Sequence, residues 1–356
     1  MNTYVKFLLI NYLKSIGYVF LVIFSFTVIL NTLTEVEFFK NYQVASTLPF
    51  FLATINSFDS IFEIFPFIFL VSTQVFFINL FKDNQINTFK YFGLKNTKII
   101  AILGLISFFL GILIITIFYS LSSNLKNLYL EEKNKYSYNK YLAVVTNNGL
   151  WIKDIVDQKK YIINANKIEN NFLHNVSIAE FDKDFDLIRI LNSKKIDIKS
   201  FQWVLHDVEI VKDNSKIIED FATLNSNFDY KTITSLFSNL SALSLLELIK
   251  LKKNYNQINY STSEIDSKLQ KLISSPVYFG LMTILSAIIM FNSKRFKNNS
   301  LKIIIGLFFC VLIYYINNIL YVLGSTEKIS LILSIWTMLL LLTFLNFVML
   351  SKINEK

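Results

Sequence analysis

Six long apolar runs, three before and three after a polar insert, constrain this chain more than any motif in it. The runs are Ile16–Leu33, Ile64–Phe81, Ile99–Leu121, Pro276–Phe291, Ile303–Leu323 and Ile329–Leu350, and none contains Asp, Glu, Lys, Arg or His. Each approaches the ~20 apolar residues that a helix needs to cross a bilayer. The insert, Ser122–Ser275, is polar and long enough to be a domain of its own. The pattern predicts an integral membrane protein that displays a folded extramembrane domain.

Charge placement supplies the orientation. Hydrophobic residues make up 53% of the chain, mean hydropathy is +0.45, and the formal charge is +9. A charge of that size could suggest nucleic acid, but the excess sits in short segments flanking the runs. Lys82, Lys90, Lys95 and Lys98 separate runs two and three; Lys294, Arg295, Lys297 and Lys302 separate four and five. The opposite connections carry Glu35, Glu37, Lys40, Asp59 and Glu63, then Glu327 and Lys328. Positive charge stays on the cytoplasmic side, so both termini are expected there and the insert outside. The first run is too long for a signal-peptide core, lacks a small-residue cleavage site, and reads as a retained span. The single cysteine, Cys310, excludes an internal disulfide.

Within the insert, short strands are expected at Tyr141–Val145, Leu150–Lys153, Lys160–Asn166, Val176–Phe181, Leu187–Leu191, Lys194–Ile198 and Trp203–Val211, with turn residues between them. Close spacing of short strands suggests a sandwich or jelly roll. An exposed edge could pair with another β domain, and covered edges are the plain alternative. After Phe221 two capping boxes, Ser244–Glu247 and Ser261–Glu264, predict helices, the second leading through Ile265, Leu269 and Leu272 into span four past Pro276.

Several chemistries are missing from the sequence. It has no G-x-x-x-x-G-K-[ST], no G-x-S-x-G and no Cys–His pair, and His174 and His206 stand apart from any ligand spacing. Secondary transporters place ionisable residues in their spans to bind coupling ions, and these spans have none. Energy for any transport must come from another subunit. The connection between runs two and three, KDNQINTFKYFGLKNTK, predicts a short amphipathic helix capped by Asp83 or Asn84, with Ile86, Phe89 and Lys90 on one face and Gly93 at its end. Such a helix suits docking on a soluble partner or resting on lipid headgroups.

On these residues the chain resembles the lipopolysaccharide-export permeases of the LptF/LptG family, over essentially its whole length. The likeness rests on the three-plus-three layout, Phe65-Pro66 in span two, Lys90-Tyr91-Phe92-Gly93 at the end of the loop helix, Gly149 to Asp154, Val176 to Asp182 and Trp203 to Val208 in the insert, and Lys271 with Pro276 before span four. It looks more like the LptG branch. Gln85 stands where the family often has Glu, Tyr91 and Phe92 are bulkier than the usual small residues, and prolines usual after span three and near span six are missing.

The resemblance implies a membrane α-helical fold with six transmembrane helices (3+3) and an inserted periplasmic all-β, jelly-roll-like domain. It divides the chain into residues 1–121, with a coupling helix at about 83–93, a β domain at 122–240, a helical connection at 241–275, and spans four to six at 276–356. It implies a permease subunit of an ATP-driven lipopolysaccharide exporter in the bacterial inner membrane, with no bound cofactor and no nucleic acid. ATP would be hydrolysed by two cytoplasmic ABC ATPase subunits. The remaining partners would be a second LptF-like permease and a periplasmic or bitopic β bridge protein. Asp83, Gln85, Ile86, Phe89, Lys90 and Gly93 would form the ATPase-coupling helix. Lys40, Lys126 and Lys133 are candidates for the anionic substrate, a solvated lysine being the alternative for each. The competing reading is a membrane-anchored periplasmic sensor or scaffold, which needs no ATPase.

Overall fold

The computed structural model describes residues 3–82, 84–136, 150–156, 159–169, 171–212, 215–230, 233, 239–257, 261–291 and 299–354. They form two compact units: Met1–Tyr129 together with Ser263–Lys356, and Leu130–Thr262. The expected strand Tyr141–Val145 lies outside the described residues.

The first unit is helical. α1 (Thr3–Phe39) and α2 (Thr47–Lys82) pack along each other, and the short α3 (Gln85–Tyr91) leads to α4 (Asn96–Leu113). One π-helical turn, Ile114–Phe118, joins α4 to α5 (Tyr119–Asn134). After the insert come α7 (Ser263–Phe291), α8 (Asn299–Ser325) and α9 (Leu331–Asn354). Among the described residues, six helical stretches are long and apolar enough to cross a membrane. They extend past the apolar runs at several ends; α1, for instance, begins well before Ile16.

Three of these helices carry an irregularity at one level. Pro66 lies inside α2, Pro276 inside α7, and the π turn between α4 and α5. Aromatic rings fill the layer they share: Phe65 stands edge-on to Phe118 at 5.0 Å, and Phe69 stacks on Phe279 at 5.0 Å. Packing there is close enough to exclude a side chain. A Cβ on Gly111 would lie 2.7 Å from Pro276 Cα.

The same unit buries a knot of hydroxyls. Tyr12 Oη lies 3.1 Å from Thr73 Oγ1, 2.9 Å from Ser107 Oγ and 3.0 Å from Thr283 Oγ1, joining α1, α2, α4 and α7. Thr73 commits its own proton to the Phe69 carbonyl (2.7 Å), so it accepts from Tyr12. Other seams have similar ties. Ser286 donates to the Leu70 carbonyl (2.8 Å), Asn346 to Leu281 (3.0 Å), and Gln74 to Lys302 (3.1 Å).

The second unit contains one antiparallel sheet of β1 (Leu150–Val156), β2 (Lys159–Glu169), β3 (Phe172–Phe181), β4 (Leu187–Asp197), β5 (Gln202–Lys212) and β6 (Ser215–Asn225), each paired with the next. The inserted β domain is therefore present. Among the described residues its strands form a meander, and the crossed strand order of a jelly roll is not among them. Successive strands are separated by few residues in the sequence, which favours pairing with the next neighbour.

Leu187–Leu191 and Lys194–Ile198, expected as two strands, are a single β4. Ser193 makes the difference: its hydroxyl donates across the ladder to the His206 carbonyl (2.6 Å) and accepts from Lys195 N (3.3 Å), so a polar residue continues the buried face. Asn175 and Asp207 take positive φ (49° and 52°) beside this point, as Asn and Asp tolerate best.

One face of the sheet carries the core, including Leu150, Ile152, Ile163, Ile178, Leu191 and Leu205. Trp203 is fully buried there, and its Nε1 donates to the Phe228 carbonyl (2.6 Å). Asp154 fixes the segment after β6 by accepting from Ser226 Oγ (2.7 Å) and from Asn227 N (3.0 Å). α6 (Leu245–Gln257) opens with half of the expected capping box: Glu247 accepts from Ser244 N, while the Ser244 hydroxyl donates to the same carboxylate instead of accepting from the helix backbone, at 2.8 Å each. α7 begins at Ser263 and runs unbroken through Pro276.

Candidate functional site

α3 ends where its sequence predicts. It ends in a Schellman motif: Gly93 takes φ 77°, Leu94 N donates to Phe89 O (3.0 Å), and Gly93 N donates to Lys90 O (2.9 Å). Side chains with a Cβ are strained at that φ, so glycine suits the stop best. At the other end Asn84 occupies the cap position at φ 57° without a side-chain bond to the helix backbone. Its Oδ1 accepts from Asn87 Nδ2 instead (3.3 Å). Asp83 lies outside the described residues.

The two apolar positions singled out in the sequence face inward. Ile86 is buried, and the Phe89 ring meets Phe7 of α1 edge-on at 5.9 Å. They anchor α3 to the membrane unit. The outward aromatic pair is Tyr91 and Phe92, 91% and 81% exposed. Sequence reading treated these two as departures from a family pattern and did not select them. The available signal was two adjacent aromatics just before a helix-ending glycine. Exposed Lys90 flanks them, and a cleft of about 690 Å³ opens beside them between α1 and α3, lined by Tyr4, Phe7, Gln85, Phe89, Phe92 and Lys98. A rigid, aromatic, basic projection of this kind can dock on a protein groove.

The three candidate lysines have different surroundings. Lys40 follows α1 in an exposed turn. Lys126 of α5 is held by α2, bonded to Asn56 Oδ1 (2.7 Å) and ion-paired with Asp59 (3.0 Å). Its ammonium also lies 5.0 Å from the centre of the Tyr129 ring. Lys133 is half-buried in α5 and engaged by a neighbour. Next to this region α1 buries Glu35, whose carboxylate accepts from Tyr129 Oη (2.7 Å). Among the described residues no group of three His, Cys, Asp or Glu is placed to hold a metal ion.

Comparison with known proteins follows the same outline. No curated protein matches the chain significantly. A family model, the lipopolysaccharide export system permease LptF/LptG, matches residues 6–352. That span reaches into all six candidate membrane helices among the described residues and takes in α3 and the β insert, so this multi-pass inner-membrane protein belongs to the LptF/LptG family of lipopolysaccharide export permeases.

Proposed function

We propose that the chain is one membrane subunit of an ATP-driven exporter that lifts lipopolysaccharide from the outer leaflet of the inner membrane. The family match over residues 6–352 carries this reading. In it, a second LptF-like permease completes the membrane channel and two ABC ATPase subunits bind from the cytoplasm. The β insert passes the lipid to a periplasmic or bitopic β bridge. Both termini and α3 face the cytoplasm and the insert faces the periplasm, as the lysine asymmetry of the loops supports.

The physics of the chain agrees with such a division of labour. Removing acyl chains from a bilayer costs ~0.8 kcal/mol per CH₂, so extraction needs outside work. The sequence contains no P-loop. ATP is therefore used by the partner, and this chain is a transporter subunit rather than an enzyme. α3 receives the stroke: Tyr91 and Phe92 enter the ATPase groove, Lys90 and Gln85 flank them, and Ile86 and Phe89 pass the force into α1 and α2. Gln85 makes the contact neutral where relatives often have Glu. At the periplasmic rim Lys40, Lys126 and Lys133 meet the anionic substrate, and at Lys126 a headgroup exchanges with Asp59.

Purification of the tagged protein from its native membrane in mild detergent tests the reading. Recovery of a second six-span permease and a P-loop ATPase, identified by mass spectrometry, is expected. Recovery of the intact, active protein alone would favour the sensor or scaffold reading.

A further inference from the structure

The cleft of about 690 Å³ between α1 and α3 is aromatic inside and charged at one place. Tyr4 and Phe7 of α1 and Phe89 of α3 line it, and the Phe7 and Phe89 rings meet edge-on at 5.9 Å. Its charged lining residue is Lys98, exposed in the first turn of α4, with Nζ 5.6 Å from the centre of the Tyr4 ring. Clefts of roughly 300–1,000 Å³ take ligand-sized groups, so this one has room for a short polypeptide segment and not only for one side chain.

Lys98 belongs to a wider excess of charge. Lys6 and Lys14 precede the first apolar run with no acid beside them, and residues 82–98 carry Lys82, Lys90, Lys95 and Lys98 against Asp83 alone. Lys6, Lys82, Lys90, Lys95 and Lys98 are exposed, and none of them makes an ion pair with a described residue. α4 places no acid in its first turn, so Lys95 and Lys98 meet the positive end of that helix without internal relief. Orientation of the spans accounts for lysines in this connection. It does not account for an ammonium without a carboxylate set into an aromatic cleft.

We propose that the ATPase which receives Tyr91 and Phe92 returns an acidic segment into this cleft, with a carboxylate on Lys98 and aliphatic carbon against Phe7 and Phe89. The proposal rests on the export reading and specifies the partner's chemistry within it. Contact is then reciprocal: two rings of α3 enter the partner, and a side chain of the partner enters between α3 and α1. Gln85, which also lines the cleft, adds no competing acid. The remaining lysines form a basic rim, which speeds encounter with an acidic surface more than it tightens the complex.

The test uses the assembled permease complex in nanodiscs of uncharged phosphatidylcholine, together with the P-loop ATPase recovered with it. Association is followed by biolayer interferometry, and contacts are fixed with a carbodiimide, which joins an ammonium to a carboxylate only where the two touch. A cross-link from Lys98 to an Asp or Glu of the ATPase is expected, and it is read on the native chain, so it does not depend on any variant folding. Lys98→Glu should lower affinity about tenfold, the scale of one charge-assisted contact, and Lys98→Arg should restore it. Added salt should slow association by screening the rim. Lys199→Glu, at an exposed position of the β insert, should leave affinity unchanged.

An assembled complex that gives no cross-link at Lys98 and binds equally well with Lys98→Glu overturns the proposal; loss of binding in Phe92→Asp in the same assay would leave docking through α3 standing. An effect of Lys98→Glu confined to nanodiscs containing phosphatidylglycerol assigns the lysine to the membrane surface and also overturns it. No ATPase binding by a folded native complex removes the export reading, and this proposal with it.

Discussion

The β insert and the helical unit both bury apolar side chains yet are held together differently. In the insert, folding moves Leu150, Ile163, Ile178, Trp203 and Leu205 from water into a shared core, and the hydrophobic effect rewards every one. In the helical unit, lipid is as apolar as a neighbouring leucine, so association gains little from burial alone. What distinguishes the right neighbour there is close approach, as at Gly111 and Pro276, and hydrogen bonding, as in the Tyr12 knot. Polar residues that look incidental within an apolar run therefore do the specifying. The lesson is that the same residue type has a different value in each half of this molecule.

That contrast can be broken from either side. The largest effect is expected from Trp203→Ala in the insert, about 3–5 kcal/mol, because a fully buried ring and its bond to Phe228 are lost together. Denaturant unfolding followed by the strand signal of circular dichroism would measure it; a loss under 1 kcal/mol would show that the core is not dominant. Next comes Gly111→Val, about 1–3 kcal/mol, since backbone must shift away from Pro276. Gly17→Ala is its control: a Cβ there meets nothing within 4 Å, so thermal melting in detergent should not fall. Equal melting of the two variants would contradict close packing as the specifying force.

Tyr12→Phe follows at about 1 kcal/mol, removing the hub but little volume. The same substitution at exposed Tyr91 should leave melting unchanged. The smallest effect is electrostatic and belongs to the insert. Burial alone would raise the Glu180 carboxyl, but hydrogen bonds from Lys159 (2.7 Å) and Arg189 (2.6 Å) and their charges outweigh it and hold the group below its usual range. The unfolded chain therefore takes up the proton first. The stabilisation is complete above the unfolded carboxyl value of about 4.3 and is lost as pH falls through the lower folded value. Glu180→Gln should flatten the acid limb of the stability curve below about pH 4; an unchanged limb would assign acid sensitivity elsewhere.

What was legible in the sequence tracks the same division. The apolar runs announce the spans because the bilayer demands length and the absence of charge, and the capping box at Ser244 and the stop at Gly93 are local chemistry that sequence displays directly. β6 was not visible. It is an edge strand exposed on both faces for most of its length, so it has no alternation to read. The break assumed at Asn192-Ser193 failed because a serine hydroxyl can bond across a ladder and stay in the core. In the site, α3 was legible but its faces were not: i, i+3, i+4 spacing identifies an amphipathic stripe without saying whether the stripe meets the protein's own α1 or a partner. The Tyr12 knot and the Glu63–Lys271 pair join residues far apart in the chain, and spacing carries no trace of them.

The most direct test of the functional account is ATP-dependent release of lipopolysaccharide from proteoliposomes holding the assembled complex, with Phe92→Asp compared with the native chain. The account predicts ATP-dependent release by the native complex. It also predicts that Phe92→Asp, on an exposed ring, preserves folding and abolishes both release and lipid-coupled ATP turnover. Undiminished release by Phe92→Asp would contradict coupling through α3, and no release by a fully assembled native complex would contradict the export function itself.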